Sequence, residues 1–335
     1  MTDDLKAALR DWYAAHHRDL PWRKTRDPYA IWVSEVMSQQ TRIEVVIGFW
    51  ERWMAAFPTI AALAEAEESD VLALWQGLGY YRRAKMLLAG ARAVHLNGLP
   101  NSAAEWRAVP GVGAYTAGAI ASIALHERVP AVDGNVHRVY SRFTADGEQR
   151  GFTKRAETWA QEVIPPDRPG DWNQAVMELG ARVCTPRSPK CPGCPLRPGC
   201  AAANAGNPEE YPPSKRAAPP QVRHQVIYLA EQRGRFLVRP VPPGTWWQGL
   251  WSLPFEFVDA PLDAPVWWAG SYVVTKHRIE FQVVQQCPSD ETGEWLTPAE
   301  IRQLALPAIH QKILARCADR VRKVAEQPAL EVGYL

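Results

Sequence analysis

The residues best suited to chemistry are four cysteines that share one short, proline-rich stretch. Their spacing is C-x6-C-x2-C-x5-C, and they are Cys184, Cys191, Cys194 and Cys200. Thiolates from one loop can converge on a single inorganic centre, and four cysteines are the usual ligands of an iron–sulfur cluster. Zinc and disulfides are the alternatives, but zinc sites are normally built from two close cysteine pairs, and disulfides belong to oxidising compartments. The spacing favours a cluster.

A glutamate and an aspartate also stand where their protonation could differ. Glu35 lies on an otherwise apolar helical face beside Ile31 and Val36, and such surroundings penalise its charge and favour the neutral acid. The alternative is a solvated surface glutamate, which is the usual state of this residue in a helix. Asp133 comes directly before a predicted helix that begins near Val136. On residue type alone, this aspartate is typical of a helix cap.

A tight glycine turn, Val109-Pro-Gly-Val-Gly-Ala-Tyr-Thr-Ala117, joins two segments with helical spacing of apolar residues. This pattern predicts a helix-hairpin-helix. Because Gly111 and Gly113 lack a Cβ, the backbone can approach a phosphate closely and point its N–H groups at it, aided by the dipole of the second helix. Such a grip on DNA does not depend on base sequence. A plain glycine-capped connection between helices is the alternative.

These residues must be positioned by a long helical region. Apolar residues recur at helical spacing from Leu5 to about Ala202, which predicts a first domain that is nearly all helix. A stretch rich in proline and small polar residues follows, which is typical of an extended linker. Beyond it, apolar runs indicate strands, and helical spacing returns from Pro298 to Arg322. We predict a multidomain protein with an all-α domain at 1–204, a linker at 205–224 and a smaller α+β domain at 225–335.

Length and charge set the broad class of the protein. With 335 residues, the chain is long enough for two domains that each bury a core. The net charge of +2 neither demands nor excludes a polyanionic partner, so a nucleic-acid partner must be argued from local motifs. The polar, acidic opening lacks the features of a signal peptide, and no apolar run approaches the ~20 residues of a membrane span. We expect a soluble, cytoplasmic protein without a membrane partner.

Further motifs accompany the hairpin turn and the cysteine quartet. They are Leu20-Pro21-Trp22-Arg23, Trp32-Val-Ser-Glu-Val-Met-Ser-Gln-Gln-Thr41, Gly77-Leu-Gly-Tyr-Tyr-Arg82 and Val132-Asp-Gly-Asn-Val136. In this order the set resembles the helix-hairpin-helix DNA glycosylases with an iron–sulfur loop, and among them the MutY-type adenine DNA glycosylase family. The resemblance implies a helical glycosylase domain and a cluster domain that hold DNA between them, with a 4Fe-4S cluster on the four cysteines.

The resemblance assigns base removal to a small group of side chains. Glu35 would protonate adenine at N7, and Asp133 would stabilise or trap the cationic sugar that develops, in the paired-carboxylate logic of glycoside cleavage. Asn135 would orient Asp133 or the water. Tyr115 stands where strand-cutting relatives such as endonuclease III carry a lysine that forms a Schiff base. A phenol cannot form one, so a monofunctional enzyme is implied, with Tyr115 hydrogen-bonding near the catalytic carboxylate. Simple packing of the tyrosine is the alternative.

The adenine must leave the base stack first, which costs about a few kcal/mol that side chains must offset. By resemblance, one set contacts or wedges against the opposite base: Gln40, Thr41, Leu78 and Tyr80. Another set helps to shape the adenine pocket: Arg18, Leu20, Trp22 and Arg23. Ser38 replaces a leucine that family members usually carry, which removes an apolar contact from this region.

The second domain carries its own resemblance. The stretch from Pro243 to Pro254 resembles the G-L-W-x-G-L-W-x-x-P segment of the Nudix-like domain that this family uses to read 8-oxoguanine. The carboxylate-rich helix that a Nudix hydrolase needs for metal ions does not follow, so we do not expect pyrophosphatase activity. The family's Phe-Ser-His recognition loop corresponds to Thr275-Lys276-His277. His277 is therefore a candidate DNA contact, with an ordinary polar loop residue as the alternative.

We therefore expect a monomeric, monofunctional adenine DNA glycosylase that acts on adenine opposite 8-oxoguanine or guanine in double-stranded DNA. It would be associated with the nucleoid if the source is bacterial. The first rival is a bifunctional glycosylase with lyase activity on oxidised pyrimidines, and Tyr115 argues against it. The second rival is a non-catalytic module that binds DNA mismatches, and the presence of both Glu35 and Asp133 argues against it.

Overall fold

The computed structural model describes residues 1–213, 219–263, 265–290 and 292–325, with side chains up to residue 317. Most of the region up to residue 204 is helical, as the spacing of its apolar residues predicts. Among the described helices, none is both long and apolar enough to cross a membrane. The helices of this region are α1 (Asp3–His16), α2 (Pro28–Ser38), α3 (Ile43–Ala56), α4 (Ile60–Ala64), α5 (Glu68–Trp75), α6 (Arg82–Asn97), α7 (Ala103–Ala108), α8 (Ala114–Ala124), α9 (Gly134–Thr144), α10 (Phe152–Val163), α11 (Pro169–Arg182) and α12 (Ala201–Asn204).

Two of these helices, α2 and α8, are buried on nearly every side. Within α2, only Pro28, Glu35 and Ser38 escape full burial. A helix that is apolar all round belongs in the interior, and α2 packs against α8 there. The start of α2 is set by Asp27, whose side chain accepts a hydrogen bond from the N–H of Tyr29. A polar side chain on α2 is therefore held rigidly by a packed element.

Helices α9, α10 and α11 enclose another part of the core with α1. Val139 of α9, Trp159 of α10 and Trp172 of α11 all belong to one buried cluster, together with Leu9 of α1. This packing fixes the start of α9, where Asp133 lies, and the end of α11, where the cysteine loop begins. Both candidate sites therefore depend on the same core.

The chain divides into two compact units that interleave in the sequence. The first comprises Met1–Ala66 and Arg82–Arg216, and the second comprises Glu67–Tyr81 and Ala217–Leu335. Helix α5 and the loop after it thus group with the second unit, which no sequence pattern predicts. The hydroxyl of Tyr81 donates to the carbonyl oxygen of Leu306 at 3.1 Å, which ties this segment to its own unit. The domain limits of 1–204, 205–224 and 225–335 stay a prediction.

The second unit has the α+β composition predicted for it. One sheet has the strand order β5-β1-β7-β6, in which β1 and β7 are parallel and the other pairs antiparallel. The other sheet runs β2-β3-β4, with β8 paired to β3. The elements are β1 (Gln221–Tyr228), β2 (Glu231–Gln232), β3 (Arg235–Pro240), β4 (Trp251–Ser252), β5 (Phe255–Val258), β6 (Trp268–Val274), β7 (His277–Val284), β8 (Glu294–Leu296), α13 (Pro298–Ile301) and α14 (Ala308–Ala325).

Both ends of the predicted linker make defined contacts or belong to a regular element. At its end, β1 already begins at Gln221. At its start, Arg142 donates from Nε to the carbonyl of Tyr211 at 2.9 Å, and Gln149 donates from Nε2 to the carbonyl of Pro213 at 3.2 Å. These hydrogen bonds hold the start of the stretch on the first unit, because both donors belong to it. Residues 214–218 lie outside the described part of the chain.

Candidate functional site

Glu35 and Tyr115 meet where α2 lies against α8. The hydroxyl of Tyr115 donates a hydrogen bond to Oε2 of Glu35 and contacts Sδ of Met177 at 3.4 Å. Burial raises the pKa of Glu35 to about 7, although the hydrogen bond from Tyr115 opposes this rise. The apolar surroundings of Glu35 thus raise its pKa, as the sequence predicts. Tyr115 takes part in a polar contact and is not merely a packing residue.

Asp133 lies close enough to Glu35 for its charge to act on it. After burial, the negative charge of Asp133 raises the pKa of Glu35 further, whereas the positive charge of Arg23 lowers it. Burial also raises the pKa of Asp133, and hydrogen bonds from Val136 and Asn135 oppose that rise. The fold therefore brings the two predicted carboxylates together. Near neutral pH, Glu35 can keep a proton while the hydrogen bonds around Asp133 favour its anion.

The helix-cap reading of Asp133 is correct, and it is compatible with a chemical role. Oδ1 of Asp133 accepts a hydrogen bond from the N–H of Val136 at 2.8 Å, which starts α9. Oδ2 accepts a hydrogen bond from Nδ2 of Asn135 at 2.7 Å. Because both oxygens are held at the positive end of a helix, the carboxylate is fixed in orientation and its charge is stabilised. Asn135 orients this anion directly.

Arg138 connects this carboxylate to the cysteine loop. Its Nη2 donates to Oδ1 of Asn135 and to the carbonyl of Gly180, each at 2.7 Å, and its Nε donates to the carbonyl of Cys184 at 2.6 Å. Glycine is required at 180, because a Cβ there would lie 2.5 Å from Cβ of Asn135. Sequence patterns do not single out Arg138, although its place one turn after Asn135 is a usable signal.

A fully buried glutamate, Glu178 of α11, lies beneath the arginines expected to shape the adenine pocket. Its carboxylate accepts hydrogen bonds from Nε and Nη2 of Arg18 at 2.9 and 2.8 Å, and from Nη2 of Arg23 at 2.9 Å. Burial alone would raise the pKa of Glu178, but the arginine hydrogen bonds outweigh it and hold the pKa at about 2. Glu178 is therefore a permanent anion near neutral pH. It stands between Ala175 and Leu179 on an apolar helical face, the same signal that identifies Glu35.

The segment between α1 and α2 holds all four residues expected at the adenine pocket. Leu20 and Trp22 are buried, with 3% and 8% of their surfaces exposed. The ring of Trp22 packs on that of Trp50, with the centroids 5.9 Å apart. The two apolar side chains therefore anchor the segment, and Arg18 and Arg23 supply its polar groups.

The predicted helix-hairpin-helix is formed by α7, the glycine turn and α8. Gly111 has φ +80°, and a Cβ there would lie 2.7 Å from Cβ of Met86, so only glycine fits. Gly113 caps α8 and is exposed, with no atom within 4 Å of the position that a Cβ would take. A phosphate oxygen could therefore reach the backbone at this helix start. Tyr115 lies in the first turn of the same helix, so the hairpin and the carboxylate site share α8.

Gln40 and Thr41 follow the end of α2. Gln40 is exposed and has left-handed backbone, with φ +57°. Arg83 holds this segment in place: its Nη1 donates to three carbonyls at the end of α2, at 2.8, 2.9 and 2.6 Å, and its Nη2 donates to Oγ1 of Thr41 at 3.2 Å. The guanidinium thereby satisfies carbonyls that a helix end leaves without partners in the helix. No sequence pattern identifies Arg83, because its partners are at least 42 positions away.

Leu78 and Tyr80, in the loop after α5, differ in exposure. Tyr80 is 53% exposed and has φ +49°, whereas Leu78 is only 5% exposed. The loop therefore presents the tyrosine ring to solvent and keeps the leucine inside. Of the two wedge candidates, Tyr80 is the one available at the surface.

The four cysteines lie between the end of α11 and the start of α12, and all are free, half-buried thiols. Burial raises the pKa of Cys194 to about 12, and the charges of Cys184, Cys200 and Cys191 add to the rise. The four sulfurs are thus within electrostatic range of one another. In the described part of the chain, no three His, Cys, Asp or Glu side chains are grouped so as to hold a single metal ion.

Arg142 of α9 secures the cysteine loop from inside. It is 2% exposed, and it donates to the carbonyls of Thr185 and Pro186 at 2.7 and 3.0 Å and to Sγ of Cys184 at 3.4 Å. An arginine is rarely this buried without such a set of acceptors. The loop is therefore ordered by backbone hydrogen bonds to a cation that sequence patterns do not reveal.

His277 is not a loop residue, so the alternative of an ordinary polar loop residue is wrong, and its role as a DNA contact stays a prediction. It is the first residue of β7, 8% exposed, and lies opposite Gln221 of β1 and Val274 of β6. Only Thr275, with φ +52°, and Lys276 form the turn, because a two-residue connection suffices for this hairpin. The ring of His277 packs on that of Trp246 in the second unit.

Two family models match separate regions of the chain. Residues 33–166 match the family described as HhH-GPD superfamily base excision DNA repair protein, and residues 225–316 match the NUDIX domain family. A solved structure of a thermostable thymine-DNA glycosylase is similar over 60% of this chain and 95% of that chain, with a TM-score of 0.55 and 25% identity. The fold is a helical glycosylase core of this superfamily followed by a Nudix-like domain.

Curated relatives show which family within this superfamily the chain matches. Adenine DNA glycosylase of Mycobacterium tuberculosis is 41% identical over 237 residues, which cover 68% of this chain and 76% of that protein. The human adenine DNA glycosylase is 46% identical over 213 residues, which cover 59% of this chain and 39% of that protein. The chain spans about half of the length, or less, of the eukaryotic relatives that it matches. By its identity to the bacterial relative and the share of that protein it covers, the chain belongs to the adenine DNA glycosylase family.

Proposed function

We propose that this protein is a monofunctional DNA glycosylase that hydrolyses the N-glycosidic bond of adenine paired with 8-oxoguanine or guanine in double-stranded DNA. The observation that carries the proposal is the hydrogen bond from Tyr115 to Glu35 beside the anchored carboxylate of Asp133. An acid that keeps its proton near pH 7 and a fixed anion are the two groups that cleavage of a glycosidic bond requires.

The reaction follows from the proton affinities of these two groups. Protonated Glu35 donates to N7 of adenine, which makes the base a better leaving group as the C–N bond lengthens. Asp133 faces the positive charge that develops on the sugar and stabilises it electrostatically or by covalent capture. Water then bonds to the anomeric carbon in place of adenine. The hydrogen bond from Asn135 holds the Asp133 carboxylate in its orientation.

Monofunctional action is supported by the chemistry of Tyr115. A glycosylase that also cuts the strand needs an amine that attacks the sugar and forms a Schiff base. Tyr115 offers a phenol, and its proton is already engaged with Glu35. Release of adenine should therefore leave an intact abasic strand.

Binding of duplex DNA is assigned to surfaces that do not read sequence. The open backbone at Gly113, which follows the tight turn at Gly111, suits a phosphate at the start of α8. Gln40, Thr41 and Tyr80 are proposed to engage the mispair, while Arg18 and Arg23, held by Glu178, line the adenine pocket with Leu20 and Trp22 beneath them. We propose that the enzyme works as a monomer on chromosomal DNA.

A 4Fe-4S cluster is proposed for Cys184, Cys191, Cys194 and Cys200. The donor set fits, because four thiols from one loop lie within electrostatic range of one another, and bound iron would stabilise the thiolates of Cys194 and Cys200, whose pKa values burial raises. Bound to the four cysteines, a cluster would further hold the loop that carries the exposed Arg187 and Lys190, whose charges suit phosphate. Arg182, at the end of α11, donates to the carbonyl of His16.

One assay tests the proposal. The purified protein is incubated with duplexes that carry adenine opposite 8-oxoguanine, guanine or thymine, and the abasic product is cut with alkali. We expect cleavage opposite 8-oxoguanine and guanine, little opposite thymine, and no strand break before alkali. A covalent adduct trapped by borohydride would favour the bifunctional rival, and tight mismatch binding without abasic product would favour the non-catalytic one.

A further inference from the structure

A cavity of about 620 Å³ opens beside the cysteine loop of the first unit. We call it the loop cavity. Its volume is in the range of pockets that take small molecules, and it is too small for a folded domain. One wall belongs to the cysteine loop, and the other belongs to the stretch that begins with α12. Among the lining residues are Ser188, Cys191 and Arg197 from the loop and Asn207, Glu209 and Glu210 from the other wall.

The four cysteines differ in their relation to the loop cavity. All four lie in the described part of the chain, and Cys191 alone is among the residues that line this cavity. Cys184 and Cys194 pack instead against the buried cluster of α1, α9, α10 and α11. The thiol of Cys200 donates to the carbonyl of the buried Arg142 at 3.4 Å. Cys191 is therefore the thiol that a molecule in the loop cavity meets first.

Hydrogen bonds join the two walls of the loop cavity. Oε1 of Glu209 accepts a hydrogen bond from the N–H of Ser188 at 2.9 Å, across from one wall to the other. Within the second wall, Nδ2 of Asn207 donates to Oε2 of Glu210 at 2.7 Å. The loop cavity is thus a defined part of the fold, because its walls are held to each other and not only by the chain between them.

Several polar groups line the loop cavity, which suits hydrated ions better than an apolar ligand. Glu209 and Glu210 are exposed carboxylates, and the guanidinium of Arg197 donates to Oδ1 of Asn204. Oδ1 of Asn207 is buried and has no hydrogen-bond partner among the described residues. Such an acceptor calls for an ordered water or a ligand. Small charged species can therefore enter the loop cavity together with water.

We propose that the loop cavity is the passage through which iron and sulfide ions reach the cysteine loop and leave it, with Cys191 as the first ligand they meet. This inference rests on the proposed 4Fe-4S cluster and goes beyond it, because it assigns an order among the four ligands. A metal site needs an entry path as well as ligands. Cys184, Cys194 and Cys200 lie against buried side chains, so exchange with solvent begins at Cys191.

Thiol labelling of the iron-loaded protein tests the order of the ligands. The protein is treated with EDTA and limiting iodoacetamide, and alkylation of each cysteine is followed by mass spectrometry of its peptides. We expect Cys191 to be alkylated several times faster than Cys184, Cys194 and Cys200. Faster alkylation of any of these three would overturn the proposal.

A reagent of larger size distinguishes the loop cavity from open surface. A maleimide that carries a long polyethylene glycol chain should label Cys287, which is exposed, and should label Cys191 far more slowly. The reason is that the loop cavity admits only small molecules. Equal labelling of the two cysteines by the large reagent would mean that Cys191 is simply a surface thiol, and it would overturn the passage.

A matched pair of substitutions tests the passage itself. Pro208→Trp narrows the loop cavity, which Pro208 lines, whereas Pro198→Trp puts the same side chain on an exposed proline of a neighbouring turn that does not line it. We expect Pro208→Trp to slow both the release of iron to EDTA and the alkylation of Cys191 several-fold. Pro198→Trp should leave both rates unchanged. Equal rates in the two variants would overturn the proposal.

The iron and sulfide content of the reconstituted protein is measured in parallel. A protein that takes up no iron would refute the proposed cluster and the passage together. An iron-loaded protein in which Cys191 is not the first thiol to react would refute the passage alone. Melting curves verify that both tryptophan variants stay folded, and if Pro208→Trp does not, the labelling order and the size test on the unsubstituted protein decide.

Discussion

Tyr115 and Glu35 are joined by a hydrogen bond from phenol to carboxylate across 80 positions of the sequence. The contact forms because α2 and α8 pack together in the core, so the two side chains emerge at one place. It stabilises the charged form of Glu35 and limits a rise in pKa that burial would otherwise make larger. The tyrosine therefore tunes the acid that it touches.

The pH dependence of base release should report the ionisation of Glu35. Its pKa is raised to about 7 and the reaction needs the protonated form, so the single-turnover rate should fall as pH increases through about 7. Asp133 must be anionic, and since its pKa is also raised, the rate should fall at low pH too.

Glu35→Gln should abolish release of adenine while duplex binding persists. Retained turnover by this variant would remove Glu35 from the mechanism.

Tyr115→Phe should move the alkaline limb of that profile. Without the phenol hydrogen bond, the charged form of Glu35 loses a stabilising partner, so its pKa rises and the decline shifts to higher pH. Tyr140→Phe is the matched control, because Tyr140 donates to Asp146 instead. It should leave the limb in place. A shift to lower pH in Tyr115→Phe would contradict the assigned role.

Glu178→Gln should destabilise the fold as well as the adenine pocket. Removing one partner of a buried ion pair typically costs about 3 kcal/mol, which denaturant unfolding can measure. Because the pKa of Glu178 falls from 4.5 to about 2 on folding, its stabilisation should be complete above pH 4.5 and disappear as the pH falls towards 2. Asp19→Asn removes the partner of exposed Lys24 and should change stability by less than about 1 kcal/mol.

Arg83→Lys should weaken recognition of the mispair more than it slows the chemistry. A lysine cannot reach three carbonyls and Thr41 together, so the segment with Gln40 loosens and affinity should fall by about 10-fold, corresponding to ~1.4 kcal/mol. The rate at saturating DNA should change much less. Arg82→Lys, an exposed neighbour, serves as control. A variant that loses rate and keeps affinity would refute the positioning role.

Cys194→Ser should lower the iron and sulfide content of the purified protein and weaken its binding to DNA, because the loop loses a ligand. Cys287→Ser changes an exposed cysteine outside the quartet and should leave the iron content unchanged. Full iron content in Cys194→Ser would remove this residue from the ligand set. Unchanged DNA affinity after loss of iron would argue that the cluster does not order a phosphate-binding loop.

Sequence patterns identify those parts of the site whose cause is local. The apolar surroundings of Glu35, the turn at Gly111 and the helix start at Asp133 can each be read within a few residues of the chain. Arg83 cannot be read in this way, because its importance comes from partners that only the folded chain brings close. Glu178 stands on an apolar helical face that the sequence shows, but its arginine partners are likewise found only in the folded chain. The resemblance locates a loop at His277, whereas the two-residue turn ends one position earlier, at Lys276.

Gln40 and Tyr80, both proposed to engage the mispair, share an unusual backbone conformation. Both hold left-handed conformations that cost non-glycine residues about 1–2 kcal/mol, and glycine would relax either position. A screen for thermal stability alone would therefore favour glycine at both positions. If the two side chains contact DNA as proposed, the resulting enzyme would be more stable but would bind its substrate with lower affinity. Selection for stability and selection for DNA repair would therefore favour different residues at positions 40 and 80.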